Sequence, residues 1–109
     1  MRIWDISPSK LCRNHLLGEH RELHALWSVL TNNKKGYSKH PETLRWKGKL
    51  KALYLRHDKL VKEMKKRSYN HFSDLDRVLA RGLSRQNTFV DSYSSQVNNI
   101  KRKKCDCKI

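Results

Sequence analysis

Residues 8–31 read PSKLCRNHLLGEHRELHALWSVLT, and this stretch decides the fold. Its entry pairs Ser7, a good helix cap, with Pro8, whose fixed φ suits a first helical position. The pattern then runs unbroken to about Thr31, where Asn32-Asn33-Lys34-Lys35-Gly36 supplies turn residues. At about 100° per residue, Leu11, Cys12, Leu16, Leu23, Leu26, Trp27 and Leu30 share one broad arc, as in a helix with one buried face. His15, Glu19 and Glu22 fall on the same arc at i, i+4, i+7 spacing, whereas His20 and Arg21 sit on the other side. An unpaired carboxylate is costly to bury. Two readings follow. Glu19 and Glu22 are structural partners of arginines elsewhere in the chain, such as Arg2 or Arg45, or one of them is a catalytic carboxylate in a cleft beside the core.

Upstream, residues 1–6 have extended character, with Ile3, Trp4 and Ile6 as apolar anchors. Downstream, the spacing predicts a second long helix over residues 41–67. Trp46, Leu50, Leu53, Tyr54, His57, Leu60, Val61 and Met64 recur at three- and four-residue steps on its core side. Lys47, Lys51, Lys59, Lys62, Lys66 and Arg67 fall mostly away from that stripe. A short third helix is expected over residues 73–80, capped by Ser73, with Leu75, Val78 and Leu79 facing inward. The expected fold is therefore all-α: a compact bundle of two long helices plus a short third, with an extended N-terminal segment. Residues 1–83 form the expected domain. Residues 84–109, polar and ending in Lys101-Arg102-Lys103-Lys104, read as a flexible basic tail.

The chain has 109 residues, 25 Lys and Arg against 10 Asp and Glu, and a net charge of +15. The last 26 residues carry six basic and two acidic groups, so the preceding 83 hold +11 of the total. A folded part this basic suits a nucleic-acid backbone. A membrane partner is disfavoured. No apolar run approaches the ~20 residues a spanning helix needs, and the opening Met-Arg-Ile-Trp-Asp-Ile lacks the apolar stretch of a signal peptide. The expected location is the cytoplasm, in association with the nucleoid. Cys12, Cys105 and Cys107 are an odd number without a disulfide framework, and they read as free thiols in a reducing compartment. No Cys/His spacing matches a zinc site, and His15, Glu19 and Glu22 on one helix make a poor cage. No metal or other cofactor is expected.

The stretch Asn14-His15-Leu16-Leu17-Gly18-Glu19-His20-Arg21-Glu22-Leu23 resembles the pyrimidine-dimer DNA glycosylase family, the phage endonuclease V-like enzymes. Its His-Leu-x-x-Glu-x-Arg-Glu-Leu signature is matched by His15, Leu16, Glu19, Arg21, Glu22 and Leu23. Arg2-Ile3 fits upstream, and Lys66-Arg67-Ser68-Tyr69-Asn70 resembles the close of the family's second helix. Residues 36–46 look like bacterial members, and the likeness covers roughly residues 1–76.

The resemblance implies a glycosylase with associated abasic-site lyase activity. An N-terminal α-amine attacks C1′ of a damaged nucleotide, expels the base and forms a Schiff base, and β-elimination then nicks the strand. An α-amine titrates near ~7.7–8, so a useful fraction is unprotonated at neutral pH. Carried over, the catalytic glutamate is Glu22, and Arg2, His15 and Arg21 contact phosphates or orient the site. Asn14 stands where the family carries a glutamine. His24, Arg45 and Lys47 complete the expected DNA-binding set. The expected partner is double-stranded DNA containing a lesion, bound by a monomer.

Three departures stand out. The phage enzyme exposes a threonine after losing its methionine, whereas Arg2 is too bulky for that removal. Met1 is therefore expected to be retained and to supply the amine. The phage C-terminus is aromatic-rich, and this one is polar and basic. Ala25 occupies the position of a further DNA-contacting arginine. The rival readings are a basic DNA-binding protein without catalysis, an inactive family relative, and an RNA-binding protein using Trp4, Trp27 and Trp46 to stack bases.

Overall fold

The computed structural model describes residues 2–32, 39–70, 74–103 and 107–108. Among them the fold is all-α. Helix α1 spans Arg13–Thr31, α2 Pro41–Trp46, α3 Leu50–Lys66 and α4 Tyr93–Lys101. Helices α1 and α3 pack together over a core of Ile3, Ile6, Leu11, Leu16, Leu23, Leu26, Leu53, Leu60 and Ile100, each at most 2% exposed.

The first long helix starts later than its periodicity suggests. Pro8–Lys10 is a separate 3-10 turn, and Leu11 returns to extended backbone before α1 begins. The reason lies in α3. Arg67 donates to Pro8 O at 3.2 Å and to Leu11 O at 2.7 Å, which aims these carbonyls at α3 instead of along α1. Two more arginines hold the chain upstream: Arg45 donates to Ile3 O at 2.7 Å and Arg56 to Ile6 O at 2.9 Å. Residues 2–7 form no helix or strand, and guanidinium groups from α2, α3 and the α3 C-cap take up carbonyls of this N-terminal stretch.

The expected second helix is broken into α2 and α3 at residues 47–49. Lys47 is extended and Gly48 takes φ +75, which an L side chain rarely adopts. The break lets a distant segment cap α3. Lys51 N–H donates to Arg81 O at 2.9 Å and Ala52 N–H to Leu83 O at 3.1 Å, satisfying N-terminal donors that a helix leaves orphaned. Leu83 N–H returns a bond to Gly48 O at 3.0 Å. Gly82 makes this approach possible: at φ +90, an added Cβ would stand 2.2 Å from Gly48 O.

The expected third helix shrinks to a 3-10 turn at Arg77–Leu79, where the Asp76 carboxylate accepts from Val78 N–H. Ser73, its expected cap, lies outside the described residues. Leu75 is buried, but Val78 and Leu79 are exposed, so the expected inward face is not formed.

Within the segment read as a flexible tail, helix α4 packs onto the core through two buried residues. Ser92 caps α4, and its Ile100 and Gln96 are buried. Gln96 accepts from Asp5 N–H at 2.8 Å and donates to the Asp5 carboxylate at 2.7 Å, while Asp91 pairs with Arg2. A nine-residue helix with one apolar anchor and one buried amide looks polar in composition.

Candidate functional site

The two glutamates of α1 part company in the structure. Glu19 sits at the centre of the buried arc, and Arg56 of α3 grips it through Nε at 2.7 Å and Nη2 at 2.8 Å. Trp4 N–H also bonds to it. Burial pushes the Glu19 carboxyl up from its ordinary value, while Arg56 and the Trp4 amide pull it down. Its partner is thus an arginine other than Arg2 or Arg45, and Glu19 is structural.

Glu22, three residues on and about 60° around the helix, lies at the arc's half-buried margin. No ion pair engages it among the described residues. It borders the exposed stripe of Asn14, Arg21 and Ala25. Gly18 lies between them, with nothing within 4 Å of an added Cβ. A solvent-edge carboxylate beside an exposed arginine can meet a substrate without breaking a core contact.

The other predicted site residues divide in the same way. Lys47 is exposed. Arg2 is half-buried, bonded to Asp91 at 2.6 Å, with its guanidinium 5.0 Å from the centre of the Trp4 ring. Arg45 is only 5% exposed, and its donors go to Glu42, Asp5, Ile3 O and Thr88 O. It serves as a core strut. Met1 lies outside the described residues.

His15 packs edge-on against Trp4, with ring centres 6.0 Å apart. Burial, and then the charge of Lys103, lowers its pKa. His24 is half-buried with Nε2 turned to His57 Nε2 at 3.2 Å, and His20 Nε2 also lies 3.2 Å from that atom. His20 is therefore buried against α3 and not on a solvent side as the wheel suggests.

Two groups of potential metal ligands thus assemble where the sequence suggested none: His20, His24 and His57, and Cys12, His15 and Cys107. The signals were there in part, as His20 and His24 stand one turn apart and Cys12-x-x-His15 opens α1. Each third member comes from another element, which no local spacing shows. A cleft of about 690 Å3 runs between the N-terminal segment and α3, lined by Asp5, Arg56, Lys59, Lys62, Glu63 and Lys66 among others. Its lining contains no residue of the α1 strip.

The family model for pyrimidine dimer DNA glycosylase matches residues 1–77. The chain belongs to that family. Comparison with curated proteins and with solved structures gives no match. The matched span takes in α1, α2, α3 and the N-terminal segment, the elements that set Glu19 and Glu22 apart. The family's name is that of an enzyme acting on DNA, and no helix among the described residues is long and apolar enough to cross a membrane.

Proposed function

We propose that the chain is a base-excision glycosylase with associated abasic-site lyase activity on lesion-containing duplex DNA, working through the α-amine of Met1 and the carboxylate of Glu22. The observation that carries this reading is the contrast on α1: Glu19 is locked by Arg56, whereas Glu22 at the solvent margin is held by no ion pair among the described residues. The anchoring of the N-terminal segment supports it. Trp4 N–H is tied to Glu19, and three residues of chain reach about 10 Å at most. Glu22 lies about 4.5 Å further along the helix axis, so a site shared by amine and carboxylate is within the chain's span.

In this reading the unprotonated amine attacks C1′, the glycosidic bond breaks and the base leaves with a proton. Glu22 stabilises the positive charge that develops on the sugar and handles the protons moved in ring opening and β-elimination. Loss of the amine proton, with cleavage of the C1′–O4′ bond and protonation of O4′, opens the sugar ring and leaves a Schiff base at C1′. Removal of a C2′ proton then expels the 3′ phosphate by β-elimination, and hydrolysis of the imine frees the enzyme. Arg21, Asn14 and Lys47, all exposed, supply phosphate contacts, and Arg2 joins them by exchanging Asp91 for a phosphate.

Borohydride trapping on an abasic duplex tests the mechanism. A covalent adduct mapping to the Met1 amine is expected, and Glu22→Gln should bind the duplex but fail to nick it. A cross-link on a lysine side chain, or undiminished nicking by Glu22→Gln, overturns it.

A further inference from the structure

The start of α1 and the C-terminal segment meet at three ligand atoms. Cys12 Sγ lies 3.1 Å and Cys107 Sγ 3.2 Å from one nitrogen, His15 Nδ1. All three atoms fall within 4.8 Å of one another. We propose that Cys12, His15 and Cys107 bind a zinc ion that fastens the C-terminal segment to the first turn of α1. This does not depend on the enzymatic reading.

The distances suit such an ion. Zinc bonds of about 2.3 Å to sulfur and 2.1 Å to nitrogen place tetrahedral S and N ligands about 3.6 Å apart. Opening the present triangle by a few tenths of an ångström admits the ion. A single imidazole nitrogen offers one proton or one lone pair in its ring plane, yet two sulfurs approach it at similar distance. A shared metal centre gives all three atoms a common target. Two thiolates and an imidazole form a donor set that selects zinc over hard cations.

Zinc takes cysteine as its deprotonated sulfur, and local contacts steady both sulfurs. Cys12 is the N-cap of α1, where the helix dipole stabilises negative charge. Cys12 N–H points at Cys107 Sγ at 3.0 Å, the N–H to sulfur bond that steadies a metal-bound thiolate. A backbone hydrogen bond holds the incoming segment, as Lys108 N–H donates to Lys10 O at 2.8 Å. Coordination through Nδ1 leaves His15 Nε2 as a proton donor, so the ion also sets the tautomer of the residue that packs against Trp4. The third thiol of the chain, Cys105, lies outside the described residues.

The test uses the full chain purified without chelators or a histidine tag. Metal analysis should find zinc bound, and exchange for Co2+ should give the intense visible bands of a tetrahedral site with sulfur-to-cobalt charge transfer in the near ultraviolet. Added Zn2+ should bleach both. Cys12→Ser and Cys107→Ser should each weaken Co2+ affinity at least 100-fold, with far-ultraviolet circular dichroism confirming that the helices persist. His24→Gln should leave the sulfur charge transfer intact, because cobalt held by the three imidazoles carries none. The proposal is overturned if the wild-type chain shows no sulfur charge transfer with Co2+. It is equally overturned if the band survives both serine substitutions, or if the purified protein is 2 Da light from a Cys12–Cys107 disulfide.

Discussion

Arg56 closes on Glu19 with two hydrogen bonds, of 2.7 and 2.8 Å, inside the α1–α3 interface. Removing one charge leaves the other buried and uncompensated, which costs about 3–5 kcal/mol. Glu19→Gln should therefore lower Tm by about 15 °C or more. Replacing both groups with apolar residues, as in Glu19→Leu with Arg56→Met, should recover most of that loss. Thermal melts followed by circular dichroism decide the matter, and a double variant no better than the single one would refute it.

Glu22→Gln should behave in the opposite way. At the half-buried margin, without an ion pair among the described residues, its change in stability should stay within about 0.5 kcal/mol. Nicking of an abasic duplex should fall by about 100- to 10,000-fold, the range of a lost acid–base group. Measuring denaturant midpoints beside nicking rates separates the two glutamates.

Two glycines predict opposite signs. Gly82→Ala adds a Cβ 2.2 Å from Gly48 O at a φ of +90. It should loosen the cap on α3 and cost about 2 kcal/mol or more. Gly18→Ala meets open space within α1 and should stabilise by about 0.5–1 kcal/mol. Urea titrations of both variants read the difference.

Ile100 is 1% exposed, so Ile100→Ala should cost about 2–5 kcal/mol through lost burial and the cavity left behind. If residues from 84 onward were a detached tail, the substitution would change nothing. The same titration distinguishes the two.

Arg45 and Lys47 lie two residues apart and should fail differently. Arg45→Ala strips partners from Glu42 and Asp5 and should cost about 3–5 kcal/mol of stability. Lys47→Ala should leave the fold intact and reduce the salt slope of duplex binding by about one phosphate contact. A Lys47→Ala protein with an unchanged slope would remove that lysine from the interface.

Local patterns exposed part of this. The run from Leu16 to Trp27 declared a helix with a buried face because the 3.6-residue period repeats within one segment. Arg21 and Glu22 were legible as members of a family motif, and the family itself is shown by the match over residues 1–77. The tie between Glu19 and Glu22 was not legible. It is broken by Arg56, 37 residues away in sequence. His20 looked solvent-facing on the wheel because only α1 was considered, and His57 on α3 covers it. The break at Gly48 was hidden because its cause is a capping segment at residues 81–83.

The sequence by itself determined an all-α chain, its two long periodic segments, its basic charge and the α1 signature. These are properties of composition and short-range repetition. Tertiary structure alone decided that Glu19 is a core strut while Glu22 stands at the margin, that Arg45 is internal, and that Cys107 returns to Cys12 and His15. Each of these depends on which distant group a side chain meets. Burial, ion pairing and ligand convergence arise between elements and leave no period within one.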